Sequence, residues 1–242
     1  MAPSIDLQPG YVIESVLLPP GSNSVVMSYD DGPDPEGTIS VLDALEECGA
    51  RATFFMLVSR AHRAPWLLRE IIARGHEPAL HGQDHIRLSL LSPDAIASRL
   101  MEAKSRLEDM ASRPIRWFRP PYGDQTLPSW RATVGAGLVP VMWTVEALDW
   151  TEVPQEKRVA EASAVREPGG IILCHDSFPD AIDGVTDRKP PPAFDRGELA
   201  RAILSNYRER GLGATTLGDA MAQGRPKVRA WFNEESDPLV SL

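Results

Sequence analysis

The stretch SVVMSYDDGPDPEGTISVLDALEECGARATFFML, residues 24–57, reads as one strand–helix–strand unit. Ser24–Tyr29 is a short apolar run of strand length, closed by Asp, Gly and Pro, residues that punctuate turns. Thr38–Cys48 then carries Ile39, Leu42 and Leu45 at helical spacing, and Ala52–Leu57 is a second apolar run. Strands separated by a helix are parallel neighbours, because a parallel return needs a crossover. The same alternation continues along the chain. Strands are expected at Glu77–Leu80, Ile115–Arg119, Val139–Thr144, Gly170–Cys174 and Gly213–Thr216. Helices are expected at Pro65–Arg74, Pro93–Ala111, Leu127–Gly137, Gln155–Arg166 and Arg196–Arg210, with a short one near Leu217–Ala222. Ser92 followed by Pro93 marks a helix start, a cap ahead of a first-turn proline. The count gives an α/β fold with a parallel sheet, either a closed or nearly closed barrel of (β/α)7 type or an open doubly wound sheet.

The chain has 242 residues, 43% hydrophobic and 24% charged, close to the globular average, so it can bury a large core. With no compositional shift and no fixed-period repeat, one domain over 1–242 is expected, a length that α/β barrels commonly reach as a single unit. A net charge of −9 argues against a nucleic-acid binder, which needs a basic face, and gives no reason to dock on an anionic membrane. No apolar run reaches transmembrane length. Asp6 and Glu14 fall where a signal peptide needs an unbroken apolar stretch, so a cytoplasmic protein is expected, the alternative being a secreted one whose leader has been removed. Cys48 and Cys174 are expected as buried free thiols. Phe178–Asp195, with Pro190–Pro192, is expected as an ordered surface loop. Residues 223–242 are expected as a peripheral C-terminal tail that Trp231 and Phe232 tie to the body. Oligomeric state has no signature in the sequence.

Reactive side chains sort to one position in this pattern. Asp30 and Asp31 follow the first strand, His81 and His85 the third, Arg119 ends the fourth, Asp149 follows the fifth and His175 the sixth. Catalytic groups gather at the C-terminal ends of strands in barrels and open sheets alike, so the sorting favours a site over scattered surface charge. In SYDDGPDP two adjacent carboxylates on a tight turn diverge, so one can bind a metal while the other faces a substrate; the same residues also serve as plain turn formers. In HGQDH, His81 and His85 stand four apart, which on a helical turn puts both rings on one side, as chelation requires. Two imidazoles and one carboxylate leave coordination positions open, as a catalytic metal needs. His62 and His76 lie in or beside helix ends and are read as structural or solvated. RPPYG, residues 119–123, is stiffened by its prolines, and Gly123 permits close backbone approach. Such a loop can aim a main-chain N–H at an oxyanion, or be only a turn. Trp150, beside Asp149 in EALDW, can wall a sugar or acyl pocket or belong to the core. His175, closing IILCH, is a catalytic acid or a histidine satisfied by hydrogen bonds.

In this order the five motifs resemble those of the polysaccharide deacetylase family, also called the NodB-homology or carbohydrate esterase 4 family. SYDDGP is similar to the family's TFDDGP, HGQDH to H-S/T-x-x-H, RPPYG matches outright, EALDW is similar to DxxDW and IILCH to LxLxH, spanning about Val25 to Leu217. The resemblance implies a distorted (β/α) barrel with parallel strands. It implies a divalent metal, usually zinc and sometimes cobalt or nickel, on Asp31, His81 and His85. It further implies Asp30 as general base, Arg119 as its orienting partner, the Tyr122 backbone N–H as oxyanion donor, and His175 as the acid that protonates the leaving amine, tuned by Asp149. Trp150 and Leu173, with Tyr122, would contact the substrate around its acetyl methyl. Ser28 and Tyr29 replace the family's Thr and Phe, Glu146 replaces the first Asp of DxxDW, and Ile171 the first Leu of LxLxH. Gly82 replaces Ser or Thr, so one hydrogen bond behind the metal is expected to be absent. No ligand, base or acid is lost, and an active enzyme is expected.

The implied reaction is metal-dependent hydrolysis of N-acetyl groups from a carbohydrate, an N-acetylglucosamine-containing oligo- or polysaccharide, with metal-bound water as nucleophile and acetate released. The same scaffold also suits O-acetyl esters such as acetylxylan, or a small N-acylated metabolite. A non-catalytic, metal-dependent sugar-binding protein is the alternative of another class, and intact Asp30 and His175 count against it. A glycoside hydrolase built on Asp30 and Asp149 leaves HGQDH unexplained. The expected partner is therefore a carbohydrate or acetylated small molecule, with no nucleic acid and no membrane.

Overall fold

Strand and helix alternate from Ser24 onward because buried apolar runs alternate with amphipathic ones. The computed structural model describes residues 5, 7–185 and 191–232. In chain order it contains β1 (Tyr11–Leu17), β2 (Ser24–Asp30), α1 (Gly37–Glu47), β3 (Thr53–Leu57), α2 (Val58–Arg63), α3 (Pro65–Ala73), β4 (Glu77–Gly82), α4 (Pro93–Ala111) and β5 (Trp117–Phe118). There follow α5 (Leu127–Gly135), β6 (Val139–Pro140), β7 (Val145–Glu146), α6 (Gln155–Ala162), β8 (Ile171–His175), α7 (Arg196–Glu209), β9 (Gly213–Thr215), α8 (Leu217–Gln223) and β10 (Arg225–Ala230). Side-chain caps start several helices: Ser92 before α4, Asp195 before α7, Thr216 before α8, and a Thr126–Ser129 capping box before α5.

The main sheet runs β6-β5-β4-β3-β2-β8-β7, with β9 also paired to β2, and every pairing in it is parallel. Of the strand expected over Val139–Thr144 only Val139–Pro140 forms, as β6; β7 follows at Val145–Glu146, and the two lie at opposite ends of that order. Only residues 141–144 join them, a reach of about 17 Å at full extension. The sheet must therefore curl until its edges nearly meet. β1 fills the seam that remains: Met142 N–H donates to Ile13 O on one side and Val16 N–H to Gly169 O on the other, each at 2.8 Å. The result is a distorted parallel barrel rather than an open doubly wound sheet.

Three elements were absent from the periodicity reading. α2 continues directly from β3, and β1 and β10 pair with each other as an antiparallel ribbon. The segment after Gln223 is exposed along β10, yet it is tied into the body by that pairing. Residues 233–242 of the expected tail lie outside the described residues, as do residue 6 and residues 186–190 of the expected surface loop. Cys48 and Cys174 are both free, Cys174 buried and Cys48 half-buried.

Strand alternation sorts the side chains into two layers. Val25, Met27 and Tyr29 of β2 pack outward against the helices with Phe54, Met56, Leu80, Phe118 and Ile172. Val26 packs inward with Phe55, Ala79, Trp117, Val141 and Ile171, and Ile13, Val16 and Leu217 close the base. Ser28 and Asp30 follow Val26 on that inner face. Parallel register puts Ser28 level with Leu173, and Asp30 level with His175. The barrel interior thus changes from apolar to polar within one strand.

His76, on the outer layer, accepts the Ala52 N–H at its Nδ1 (3.2 Å) and meets the Phe54 ring edge-on. Burial, reinforced by Arg74 and Arg51, pushes it from 6.5 down to about 4. The unfolded chain therefore takes up a proton that the folded chain refuses. This contribution to stability is complete above about pH 6.5 and is lost as pH falls toward 4. In urea titrations between pH 7 and 4, His76→Asn, which keeps an acceptor for Ala52, should lose about 3 kcal/mol less stability than the native chain.

Candidate active site

The barrel mouth, at the C-terminal ends of the strands, brings together two polar assemblies. The first begins at the end of β2. Asp30 still belongs to the strand and turns inward, whereas Asp31 adopts a left-handed conformation, φ 77°, and so directs its carboxylate elsewhere. Such a conformation costs a non-glycine residue about 1 kcal/mol or more. Asp176 holds the turn, accepting the Gly32 N–H at 3.1 Å and the Thr38 hydroxyl at 2.5 Å.

Asp31 Oδ1 lies 3.3 Å from His81 Nε2 and 3.2 Å from His85 Nε2, and is buried with no hydrogen-bond partner among the described residues. His81 Nδ1 sits 2.8 Å from the Arg119 carbonyl oxygen. A carbonyl can only accept, so Nδ1 carries the proton and the Nε2 lone pair faces the Asp31 carboxylate. Two lone pairs so placed need a cation between them. Ligand atoms around a tetrahedral ion with bonds of about 2.0–2.1 Å stand about 3.3 Å apart, so the spacing fits a divalent metal. Two imidazoles and a carboxylate suit zinc. Burial opposes the Asp31 charge, but His85 and His81 outweigh it and hold its carboxyl well below the usual range.

The two histidines do not share a helical turn, as their spacing led us to expect. His81 lies within β4 and His85 in the bend that follows. Gly82 makes the reversal at φ 134°, where a Cβ would come within 2.9 Å of the Asp84 carbonyl oxygen. A side chain at this position of this chain would be strained.

Arg119, fully buried, sits beneath this group. Its guanidinium donates to Asp30 Oδ1 (2.7 Å), Ser28 Oγ (3.0 Å), Met142 O (3.0 Å) and Val141 O (3.4 Å), and lies over the Phe55 ring. Asp30 is thereby fixed with its other oxygen 3.9 Å from His81 Nδ1.

The second assembly is His175 with Asp149. Asp149 accepts both the His175 backbone N–H and its Nδ1–H, each at 2.7 Å, which leaves Nε2 as the ring's reactive atom. Burial alone would lower this histidine, but the charge and hydrogen bond of Asp149 prevail and carry it up to about 9. Leu173 is buried two residues earlier on the same face of β8. Trp150, next to Asp149, is 53% exposed and donates to Glu146. Tyr122 is 46% exposed at φ 62°, with its ring between His85 (4.2 Å) and the Arg87 guanidinium (4.1 Å). All the residues singled out from the sequence therefore stand at or beside one end of the barrel, whereas His62 is exposed on α2 and His76 buried on the far side of β3.

The supporting residues were not anticipated. Asp183, fully buried, accepts from Arg60 Nε (2.7 Å), Arg63 (2.8 Å) and Ser59 (3.1 Å), while its carbonyl accepts the His85 N–H at 2.9 Å. Arg60 also donates to Ser177 Oγ and to the Phe178 carbonyl. Helix α2 and the segment after β8 thus hold His85 between them. Arg99 clamps Asp84 in the same bend with 2.7 Å contacts to both carboxylate oxygens. Asp176, pushed up to about 7 by burial with Asp31 adding to it, carried one visible signal, its place next to His175. Nothing in the local sequence marks Asp183 or Arg60.

Residues 18–141 match the polysaccharide deacetylase family. A chitooligosaccharide deacetylase of Bradyrhizobium sp. (strain ANU 289) is 32% identical over 184 residues, covering 76% of this chain and 82% of that protein. A peptidoglycan-N-acetylglucosamine deacetylase of Bacillus cereus is 32% identical over 219 residues, 89% of this chain and 96% of that protein. Among solved structures, a family 4 carbohydrate esterase from Streptomyces lividans, in complex with acetate, superposes with a TM-score of 0.70 at 24% identity, covering 84% of this chain and 96% of the other. A pseudoenzyme of the same family from Bacillus anthracis gives 0.75 at 20% identity, with coverages of 92% and 73%. Likeness at that level shows the fold; activity has to be argued from the residues at the mouth.

Because Arg60 is buried against Asp183, Asp183→Ala strands a guanidinium and should cost about 3–5 kcal/mol in urea unfolding. Arg63→Ala removes a half-exposed partner of the same carboxylate and should cost about 1 kcal/mol or less.

Proposed function

Since the chain belongs to the polysaccharide deacetylase family, we propose that it is a metal-dependent hydrolase that removes acetyl groups from N-acetylglucosamine units of an oligo- or polysaccharide. The observation that carries this reading is the pairing, at one barrel mouth, of Asp30–Arg119 beside the Asp31–His81–His85 group with a separate His175–Asp149 pair. Amide hydrolysis needs a base for the attacking water, a donor for the oxyanion and an acid for the leaving amine, and this chain has a candidate for each.

Asp31, His81 and His85 would hold the metal, zinc by the nature of the donors, with cobalt or nickel as substitutes. When bound, the ion supplies Lewis-acid polarisation of the acetyl carbonyl and lowers the pKa of water toward about 7. Asp30, oriented by Arg119, takes the proton of the attacking water. As the water oxygen bonds to the acetyl carbon, the Tyr122 N–H donates to the carbonyl oxygen that gains charge. The carbon–nitrogen bond then breaks, its electron pair stays on nitrogen, and His175 Nε2 delivers the proton that makes a neutral amine. Asp149 keeps that histidine charged until then. Leu173 and Trp150 enclose the acetyl methyl, and the exposed Trp150 ring offers an apolar face to a sugar. The two relatives, named for chitooligosaccharide and for peptidoglycan N-acetylglucosamine, support the same substrate class for this chain.

Chelator-stripped protein should release no acetate from N-acetylated chito-oligosaccharides until zinc or cobalt is restored; release that ignores the chelator would overturn the proposal. Asp30→Asn should retain zinc affinity while kcat falls about 100-fold or more. The pH profile offers a separate test. With Asp149 holding His175 above the ordinary histidine value of about 6.5, kcat should hold through neutral pH, and Asp149→Asn should bring the alkaline limb down toward that value. A limb that stays in place assigns the proton to another group.

A further inference from the structure

Tyr122 and the residue after it are both left-handed, with φ 62° and 63°. Glycine adopts this freely, but tyrosine does so at a cost of about 1 kcal/mol or more, so something must hold the turn. Inside it, Gly123 N–H donates to Pro120 O (3.0 Å) and Asp124 N–H to Pro121 O (3.1 Å). From outside, the indole N–H of Trp231 donates to the Gly123 carbonyl oxygen at 3.0 Å.

Trp231 is itself fixed on several sides. Its backbone N–H donates to Gly10 O at 3.1 Å, and its carbonyl accepts from Gln125 Nε2 at 2.7 Å. Gln125, buried just after the turn, also reaches Gly10 O at 3.3 Å. The indole packs edge-on against Trp143 with 5.1 Å between ring centroids, and Trp143 lies 5.6 Å from the Arg119 guanidinium. A Cβ on Gly123 would come within 2.9 Å of Trp143 and 3.6 Å of Trp231, so both indoles lie directly behind the turn. Trp231 stands far beyond the family match, which ends at residue 141, and 108 residues from the carbonyl it holds.

We propose that Trp231 is a positioning residue for the reaction: by holding the Gly123 carbonyl it keeps the 122–123 turn left-handed and aims the Tyr122 N–H at the developing oxyanion. The inference rests on the proposed deacetylase reading for the identity of that oxyanion. If the indole served only to anchor the end of β10, its loss would weaken the fold generally. If it aims the turn, its loss removes one of the hydrogen bonds that fix the peptide after Gly123, and the penalty falls on the transition state rather than on substrate or metal binding.

Trp231→Phe keeps a ring against Trp143 and removes only the donor. We expect kcat to fall on the order of 10-fold, with KM, zinc affinity and Tm little changed, because a misaimed oxyanion donor acts on the transition state. Amide exchange at Gly123 and Asp124, followed without substrate, should quicken about 10-fold as the turn loosens. Gln125→Ala, which loosens Trp231 from its other side, should move kcat and exchange in the same direction. Unchanged kcat, or unchanged exchange, in a folded Trp231→Phe protein overturns the inference. So does a fall in kcat matched by falls in zinc affinity and Tm, which marks general support. Native protein that releases no acetate from any N-acetylglucosamine glycan defeats the deacetylase reading, and with it the catalytic role; the exchange result then reports on the turn alone.

Discussion

A guanidinium sealed inside a barrel must find all its hydrogen-bond partners there, and the arrangement of this protein follows from that requirement. Arg119 is fully buried, and an unpaired charge in that position would cost several kcal/mol. Its partners are Asp30 and Ser28 on β2 and the carbonyls of Val141 and Met142, in the segment that crosses from one sheet edge to the other. Its own carbonyl accepts from His81. One residue therefore joins the central strand, the closing seam and the candidate metal ligands. The apolar floor of Val26, Phe55, Trp117 and Ile171 shields these contacts from water and so strengthens them.

The mouth obeys the same rule. Its buried acids other than the candidate ligand Asp31 are matched: Asp149 by His175, Asp176 by Gly32 and Thr38, Asp183 by Arg60 and Ser59. Rings and guanidinium groups alternate beside them. Phe178 packs near His175, Arg196 lies over both Phe178 and Phe194, and Arg158 over Phe194. That column fastens both ends of the segment between β8 and α7 to the barrel. Groups already paired in the folded chain need little reorganisation when charge develops near them, which is the physical advantage of a preorganised polar site.

β1 and β10 show how the outermost strands serve the centre. β1 supplies the backbone that plugs the gap between β6 and β8, and β10 follows it as an exposed partner strand. Trp231, at the end of β10, reaches the RPPYG turn. A charged, exposed strand such as RPKVRA has no apolar periodicity to reveal it, and its pairing with residues 11–17 is invisible to any short window.

The sequence by itself determined the alternation of strands and helices, the sorting of Asp30, Asp31, His81, His85, Arg119, Asp149 and His175 to strand ends, and the family those motifs belong to. These are local properties, carried by residues two to four positions apart or by short motifs. Tertiary structure alone decided that residues 139–146 form two short strands on opposite edges, β6 and β7, and so that the sheet curls into a barrel. It also decided that Gly82 turns His85 back toward His81 outside any helix, and that Asp183, Arg60 and Trp231 stand behind the site. The reason lies in separation along the chain. Arg119 meets Asp30 across 89 residues, Arg60 meets Asp183 across 123, and Trp231 meets Gly123 across 108. Partners that far apart are chosen by how the barrel closes, and no local pattern records the choice.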